Sequence, residues 1–237
     1  MLVSSLVKSP AGYSLPNNRP VTSSFCVIGA WWTLFRLGFI TILVVLSGCA
    51  SMHRDTAQLS DAAKQQRWQD VQKQLSEIQN WQLVGRLGLK IPGRSGSLSV
   101  DWWQHPERFA LLLDGPFGQP LAQVQGNRQG VMATVAGESE PVMGPTPDYL
   151  MRRITGWDLP VSHLRYWVIG LPVPGLQSRV VLDDSGYPKI LHQSGWEVTY
   201  LSFRQEKDLR LPSRLRVSDG DIRLTLAINR WNLEGHN

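Results

Sequence analysis

Cys49 is the residue whose surroundings indicate chemistry most clearly. It follows the small residues Ser47 and Gly48, and residues 37–46 (LGFITILVVL) form an apolar run that starts directly after Arg36. A positive charge, a short apolar segment and small residues at its end make up the pattern of an export signal. The pattern predicts that the chain is exported and cleaved close to Cys49.

With a cysteine after two small residues, residues 46–49 (LSGC) resemble the lipobox of bacterial lipoproteins. The resemblance implies cleavage before Cys49, a diacylglycerol on its sulfur and an acyl group on the new amino terminus. Two alternatives stay open at this point. Residues 25–48 could form a permanent membrane anchor, with Arg36 in mid-span at a cost of about 2.5–3.5 kcal/mol. Cys49 could also be an ordinary residue at a signal-peptidase site.

The organisation of the chain follows from this cleavage site. The leader and signal peptide, residues 1–48, exceed the ~15–30 residues usual for a signal. Residues 1–24 resemble neither a signal nor a fold, so we interpret them as an over-extended start. Residues 49–55 are predicted to form a lipidated tether, and residues 56–237 a single domain with a substantial core.

The processed chain is nearly neutral. The whole sequence has 24 Lys and Arg against 19 Asp and Glu, and the leader contains Lys8, Arg19 and Arg36 but no acidic residue. Removing these three leaves 21 basic and 19 acidic residues, a net charge of +2, which predicts no nucleic-acid partner. The second cysteine, Cys26, lies in the leader, so no disulfide and no thiolate metal site are expected.

The sequence contains no recognisable catalytic or metal-binding constellation. Residues 93–97 (GRSGS) have the wrong spacing for a G-x-S-x-G nucleophile elbow. Residues 183–186 (DDSG) are too short for a calcium loop, and the five histidines are scattered without an H-E-x-x-H motif. We therefore predict no enzyme, no metal and no cofactor other than the covalent lipid on Cys49. A periplasmic hydrolase is the least supported alternative.

Residues 114–120 (DGPFGQP) place one large apolar side chain in a turn between two predicted strands. Pro116 and Gly118 frame Phe117, whereas the tip of such a turn is ordinarily polar. Either Phe117 folds back into the core, or Pro116, Phe117 and Gly118 form a membrane-insertion loop. In the second interpretation, burial of Phe117 in a bilayer interface would contribute about 1.5–3 kcal/mol.

Hydrophobic periodicity predicts the elements that must position these residues. Residues 56–78 carry a thin apolar stripe at helical spacing and predict an amphipathic helix. From Trp81 onward, short alternating runs separated by Gly and Pro turns indicate an antiparallel meander, interrupted by two short helices between residues 146 and 171. We predict a mostly β fold with inserted helices, in which about ten or eleven strands curl into a barrel or half-barrel.

Three further stretches carry a family resemblance: residues 81–86 (WQLVGR), 114–118 (DGPFG) and 159–172 (LPVSHLRYWVIGLP). Together with the lipobox, they resemble the LolB family of outer-membrane lipoprotein receptors. The resemblance implies an unclosed antiparallel β-barrel with an α-helical lid over an apolar cavity. It also implies a receptor, lipid-anchored at the periplasmic face of the outer membrane, that accepts acylated lipoproteins from the periplasmic carrier LolA. The receptor then inserts these lipoproteins into the inner leaflet of that membrane.

The resemblance also implies partners and roles. The family's strand-connecting loop carries a bulky aliphatic residue implicated in release, where this chain has Phe117. Ala50, rather than Asp, follows Cys49, which agrees with an outer-membrane address under the family's sorting rule. The expected partners are LolA, the acyl chains of client lipoproteins and outer-membrane phospholipid, and the receptor is expected to be a monomer. The alternative is an envelope scaffold lipoprotein that binds a protein partner through a domain with a solid core.

An acyl-binding cavity would be lined by one face of the strands and by the inserted helices. The candidate lining residues are Trp102, Leu111, Leu113 and Leu224 from the strands and Leu150, Ile154 and Trp167 from the helices. Arg152, Arg153 and Arg165 could meet an acidic rim of the carrier or form a solvated helix face. Because each buried methylene is worth about 0.8 kcal/mol, acyl chains must pass from carrier to receptor along a continuous apolar path.

Overall fold

Eleven strands and three α-helices build residues 59–233, the part of the chain that the computed structural model describes. The helices are α1 (Asp61–Ser76), α2 (Pro147–Thr155) and α3 (Val161–Trp167). The strands are β1 (Trp81–Ile91), β2 (Arg94–Gln104), β3 (Phe109–Asp114), β4 (Pro120–Asn127), β5 (Gly130–Val135), β6 (Val142–Gly144), β7 (Ser178–Leu182), β8 (Pro188–Gln193), β9 (Trp196–Glu206), β10 (Leu209–Ser218) and β11 (Arg223–Asn232). The predicted leader (1–48), the tether (49–55) and Cys49 itself lie outside the described residues.

All eleven strands belong to one sheet, in the order β6-β5-β4-β3-β2-β1-β11-β10-β9-β8-β7. The chain runs outward from β1 to β6, crosses through α2 and α3, and returns from β7 to β11, with every neighbouring pair antiparallel. β6 and β7 each have a neighbour on one side only, so the sheet does not close. The prediction of a mostly β fold with ten or eleven strands in an unclosed antiparallel sheet is confirmed.

β1 joins the two halves of the sheet because it pairs with β2 on one side and β11 on the other. Trp81, Leu83 and Gly85 are buried along β1, and the residues between them are partly exposed, as a period of two requires. Gly85 lies at a register shift, where a Cβ would come within 2.2 Å of the carbonyl oxygen of Ala227. Only glycine therefore allows β11 to approach β1 this closely.

α1 is the amphipathic helix that the sequence predicts, with observed bounds a few residues inside the predicted ones. Its buried residues Trp68, Val71 and Leu75 recur at helical spacing. The side-chain oxygen of Ser60 accepts a hydrogen bond from the amide N–H of Ala63 at 3.3 Å, and this cap fixes where the helix begins.

α2 begins and ends as its sequence dictates. Thr146 Oγ1 accepts a hydrogen bond from the amide N–H of Tyr149 at 3.2 Å, and Pro147 occupies the first turn, where no amide donor is needed. Gly156 ends the helix with a φ of 79°, in the left-handed region that glycine adopts without strain. α2 and α3 together form the crossing between the two edge strands of the sheet.

The buried apolar side chains form one cluster that runs from α1 through the sheet to α2 and α3. The sheet, the three helices and this core all lie within residues 59–233, inside one compact unit. A protein that starts after Cys49 would thus contain every element of the folded unit. Within residues 59–233, no helix is long and apolar enough to cross a membrane.

Candidate functional site

A cavity of about 70 Å³ lies between the central strands and the two inserted helices. β1, β2, β3, β10 and β11 provide its floor, and α2, α3 and the residues flanking α3 provide its cover. The 13 lining residues are Leu87, Val100, Trp102, Leu111, Leu113, Met151, Leu159, Val161, Leu164, Val168, Val217, Leu224 and Leu226. None of these side chains is charged or carries a hydroxyl group, so the wall offers an apolar chain a continuous apolar surface.

The strand residues proposed from the sequence meet at this cavity, and the helix residues do not. Trp102, Leu111, Leu113 and Leu224 are among the lining residues. Leu150 and Trp167 are fully buried in the surrounding core, and Ile154 is partly buried beside it. Other residues of the cover line the cavity in their place, including the sequence neighbours Met151 and Val168. A step of one residue turns a helix by about 100°, which is enough to exchange the residue that reaches a small cavity.

Two of the lining residues that sequence reasoning missed, Val100 and Val217, follow from strand register. Several lining residues are direct cross-strand partners of one another: Val100 with Leu113, Trp102 with Leu111, Val217 with Leu224, and Leu87 with Leu226. Directly opposed side chains on one face lie about 4.5–5.5 Å apart at Cβ. Leu113 and Leu224 thus identify Val100 and Val217 once the pairing of strands is known, and that pairing comes from the tertiary fold.

The volume of the cavity decides what this conformation can hold. Pockets that bind small molecules usually measure about 300–1,000 Å³, whereas this one measures about 70 Å³. An acyl chain therefore does not fit while the cover is in place. The floor of the cavity is a hydrogen-bonded sheet, whereas the cover consists of two short helices and their flanking residues.

The cover is fixed to the sheet at the end of α3. The indole Nε1 of Trp167 donates to Gln193 Oε1 at 2.9 Å, and the hydroxyl of Tyr200 donates to the carbonyl oxygen of Trp167 at 3.0 Å. Gln193 also accepts from the amide N–H of Val173 at 2.8 Å and donates to its carbonyl oxygen at 3.0 Å. All three side chains are buried, and burial raises the pKa of the Tyr200 hydroxyl far above its ordinary value. Tyr200 therefore stays protonated and keeps donating to the cover.

α2 and α3 are joined to each other as well. The amide N–H of Ser162 in α3 donates to Asp148 Oδ1 in α2 at 3.1 Å. On the outer side, Arg152 and Asp158 form an exposed ion pair at 3.3 Å, and Arg153 is also exposed. The two helices are thus linked to each other as well as to the sheet.

An open groove of about 320 Å³ adjoins the cavity, lined by residues of β2, of α3 and of the turns between strands. The groove and the cavity share two lining residues, Trp102 from β2 and Val161 from α3. Basic side chains also line it, among them Arg108 and Arg165. The guanidinium of Arg165 lies 4.8 Å from the centre of the Tyr166 ring, so this arginine packs along the helix instead of extending freely into solvent.

Trp102 carries a buried hydrogen-bond donor without an acceptor. Its Nε1 has no partner, although the residue is only 5% exposed. Two other buried indoles each donate over 2.9 Å, Trp167 to Gln193 and Trp231 to the carbonyl oxygen of Pro212. A buried donor left unpaired costs about 1–3 kcal/mol, so its retention calls for an explanation.

The loop between β3 and β4 projects its aromatic residue into solvent. Phe117 is 95% exposed, so it does not fold back into the core. The amide N–H of Gly118 donates to the carbonyl oxygen of Gly115 at 2.9 Å, which closes a turn with Pro116 at its second position. Gln119 stabilises the turn as well, because its Oε1 accepts a hydrogen bond from the amide N–H of Phe117 at 3.1 Å. Phe117 is thus presented at the tip of an ordered turn.

The chain is similar to a family of envelope proteins. A family model described as "Outer membrane lipoprotein LolB" matches residues 79–231. The outer-membrane lipoprotein LolB of Pseudomonas putida (strain GB-1) is 35% identical over 191 residues, which cover 81% of this chain and 92% of that protein. The LolB of Pseudomonas paraeruginosa (strain PA7) is 36% identical over 189 residues, which cover 80% and 91%.

Solved structures match this chain at much lower sequence identity. A LolA superfamily protein from Nitrosomonas europaea matches 76% of this chain and 96% of its own, at 7% identity and a TM-score of 0.45. A putative outer membrane lipoprotein-sorting protein domain from Vibrio parahaemolyticus matches 75% and 95%, at 8% identity and a TM-score of 0.46.

Proposed function

The chain belongs to the LolB family of outer-membrane lipoproteins, and from this membership we propose that it accepts acylated lipoproteins from the periplasmic carrier LolA and inserts them into the inner leaflet of the outer membrane. In this proposal, a lipid on Cys49 anchors the protein to the periplasmic face, and residues 49–55 are the tether. The ligands are the acyl chains of client lipoproteins, and membrane phospholipid receives them.

The observation that carries this proposal is the apolar cavity beneath the helical cover. An acyl chain gains about 0.8 kcal/mol for each methylene that leaves water. The cavity supplies an apolar wall for this purpose. We propose that the cover is displaced to admit the chain, while the hydrogen bonds of Trp167 with Gln193 and Tyr200 keep the end of α3 in place. Displacement would extend the apolar surface to match the chain that enters.

Transfer of this kind needs no covalent step. The cavity must bind acyl chains more tightly than the carrier does and less tightly than the bilayer does. The binding free energies of carrier, cavity and bilayer then set the direction of transfer. The small volume of the closed state supports release, because a cavity of about 70 Å³ leaves no room for the chain once the cover returns. A lipoprotein at the membrane would then gain more by insertion than by staying bound.

The exposed loop supports the delivery step. Insertion of Phe117 into the bilayer interface would contribute about 1.5–3 kcal/mol and would orient a protein that is already tethered. The loop connects β3 to β4, and β3 also supplies Leu111 and Leu113 to the cavity wall. Insertion of the loop therefore brings the cavity close to the bilayer that receives the acyl chains.

A cavity-filling substitution tests the proposal. Val217→Phe in β10 places a phenyl ring in the cavity, and the matched control Val181→Phe makes the same change at a position in β7 that is 42% exposed. With a protein that starts after Cys49, we expect Val217→Phe to reduce the binding of a fluorescent fatty acid at least about tenfold, and the acceptance of a lipoprotein from LolA in parallel. Val181→Phe should bind as the unmodified protein does.

Two results would contradict the proposal. The first is that the unmodified protein takes up no fatty acid in a saturable way and accepts no lipoprotein from LolA, which would favour the envelope scaffold instead. The second is that Val217→Phe folds and both binds and accepts at the unmodified level, because acyl chains would then occupy some other surface.

A further inference from the structure

The outer face of the sheet, opposite the cavity, carries a cluster of basic side chains. In β1, β10 and β11, the residues that line the cavity alternate with residues whose side chains point to the other face of the sheet. Residues 86–90, 214–218 and 223–227 place nine residues on that outer face, three from each strand. Four of the nine are small and uncharged, none is acidic, and five are basic and exposed. These five residues form the basic face: Arg86, Lys90, Arg214, Arg216 and Arg223.

Strand pairing brings these charges close together. Lys90 of β1 lies directly opposite Arg223 of β11, and Arg223 in turn lies opposite Ser218, two residues from Arg216 in β10. Directly opposed like charges destabilise a sheet. Within residues 59–233, none of the five basic residues takes part in an ion pair or packs over an aromatic ring. An anion bound at the basic face would relieve this repulsion.

Hydroxyl groups and acidic residues border the basic face. Three serines of β2 lie directly opposite positions 90, 88 and 86 of β1 and share its outer face: Ser95, Ser97 and Ser99. The acidic residues at the margins are Asp101, Asp114, Glu197, Asp219 and Asp221. Asp101, Glu197 and Asp219 already accept hydrogen bonds from neighbouring residues. Arginine, lysine and serine side chains all donate hydrogen bonds that phosphate oxygens accept, so the basic face and its serine border suit an array of phosphate groups.

The basic face extends to the end of the sheet that carries Phe117. Strand register places Asp114, Ser99 and Arg86 in one row across β3, β2 and β1. Because β1 and β3 are both antiparallel to β2, they run in the same direction, and the loop with Phe117 follows Asp114 in that direction. Lys90 lies four residues beyond Arg86, about 13 Å further along the same way. An exposed aromatic residue and a group of cations at one end of a sheet favour a membrane surface over an acidic protein as the partner.

We propose that the basic face binds the phosphate groups of anionic phospholipids at the membrane surface, beside the site where Phe117 enters the bilayer interface. The inference rests on the proposed function and deepens it, because it names the surface through which the receptor meets the membrane. Basic residues close to an anionic membrane add to the attachment that an apolar anchor provides. The helical cover lies on the other face of the sheet, so this orientation leaves the cover unobstructed by the membrane.

A triple substitution that removes charge tests the inference. In a protein that starts after Cys49, Lys90→Gln, Arg216→Gln and Arg223→Gln together delete three charges of the basic face. Each basic residue near an anionic surface strengthens binding about fivefold, so we expect this variant to bind vesicles of equimolar phosphatidylcholine and phosphatidylglycerol at least about tenfold more weakly. Its binding to vesicles of phosphatidylcholine alone should stay within about twofold of that of the unmodified protein.

The matched control removes the same amount of charge elsewhere. Lys73→Gln in α1, Arg179→Gln in β7 and Lys189→Gln in β8 change three exposed residues outside the basic face. Because exposed charges are screened beyond a Debye length, this control should bind the mixed vesicles within about twofold of the unmodified protein. Equal binding of the mixed vesicles by the two triple variants would overturn the inference, since position on the basic face would then make no difference.

A measurement on the unmodified sequence covers the case in which the first variant does not fold. Added salt screens the attraction between exposed cations and phosphate groups. The unmodified protein should therefore bind the mixed vesicles more tightly than the phosphatidylcholine vesicles at low salt, and this difference should disappear at high salt. Equal binding of the two kinds of vesicle at low salt would overturn the inference.

Fatty-acid binding and acceptance of a lipoprotein from LolA separate this inference from the proposed function. The variant of the basic face should retain both at the unmodified level. Reduced acceptance from LolA together with unchanged vesicle binding would overturn the inference and leave the proposed function intact, because the basic face would then bind an acidic carrier. Failure of the unmodified protein both to bind fatty acid and to accept a lipoprotein would contradict the proposed function, on which the inference rests.

Discussion

The hydroxyl of Tyr200 in β9 donates to the carbonyl oxygen of Trp167, the last residue of α3, over 3.0 Å. Gln193 in β8 accepts from the indole of the same tryptophan at 2.9 Å. Two neighbouring strands thus hold one end of the helical cover through buried hydrogen bonds. The cover also contacts the sheet through α2, which packs against β5 and β6.

Removal of the Tyr200 hydroxyl should weaken this attachment. Tyr200→Phe keeps the ring and deletes the donor to Trp167, so we expect the free energy of unfolding at neutral pH to fall by about 0.5–1.5 kcal/mol. Urea denaturation measures the change. Tyr149→Phe is the control, because Tyr149 is 45% exposed and its hydroxyl can bond to water. Equal stabilities of Tyr200→Phe and the unmodified protein would show that the bond contributes nothing.

The same residue predicts how stability changes at alkaline pH. Burial raises the pKa of folded Tyr200, whereas an unfolded tyrosine titrates near 10. Above pH 10 only the unfolded state releases this proton, so the unfolded state is favoured. The contribution of Tyr200 to the free energy of unfolding is therefore complete below pH 10 and is lost as the pH rises further, at up to about 1.4 kcal/mol per pH unit. Between pH 10 and 11, denaturation curves of the unmodified protein should lose more stability than those of Tyr200→Phe. Parallel losses would contradict this assignment.

Two glycines of β1 should respond differently to the same substitution. A Cβ on Gly85 would lie 2.2 Å from the carbonyl oxygen of Ala227, so Gly85→Ala must push β1 and β11 apart. We expect a loss of about 1–3 kcal/mol in the free energy of unfolding, as for other overpacked sites. At Gly88 the nearest atom is 3.7 Å away, an ordinary contact, so Gly88→Ala should be neutral or slightly stabilising. Thermal unfolding of both variants checks this explanation of why residue 85 is glycine. Equal stabilities of Gly85→Ala and Gly88→Ala would contradict it.

Phe117 should affect delivery without affecting the fold. Because its side chain is 95% exposed, Phe117→Glu should leave the free energy of unfolding and fatty-acid binding unchanged. Loss of about 1.5–3 kcal/mol of interfacial burial should weaken association of the protein with liposomes roughly tenfold or more, and slow lipoprotein delivery to them. Phe117→Leu keeps an apolar side chain and serves as the control. Delivery by Phe117→Glu at the unmodified rate would remove the loop from the mechanism.

Much of the fold could be predicted because its signals are local. The alternation along β1 and the turns around Gly and Pro indicate an antiparallel sheet, and Thr146, Pro147 and Gly156 mark the ends of α2 through caps that depend only on neighbouring residues. The resemblance to the LolB family supplied what periodicity does not, namely that the sheet stays open.

The cavity was predicted less completely, because its wall depends on contacts between distant residues. Leu150 and Met151 are both buried apolar residues of α2, and only the packing of that helix on the sheet decides that Met151 reaches the cavity. Val217, which was not predicted, likewise becomes recognisable through the pairing of β10 with β11, which places it opposite the predicted Leu224. Nothing local in the sequence distinguishes an apolar residue beside a cavity from one in a filled core.

The central claim, that the cover moves to admit acyl chains, is tested most directly by a distance measurement. Spin labels at Arg153→Cys on α2 and Arg86→Cys on the exposed face of β1 would report the position of the cover, in a protein that starts after Cys49. A second pair, Arg86→Cys and Arg216→Cys, lies within the sheet and serves as the control. On binding of a triacylated lipopeptide, pulsed dipolar spectroscopy should show a longer distance for the first pair and an unchanged distance for the second. Saturated binding with both distances unchanged would contradict the account.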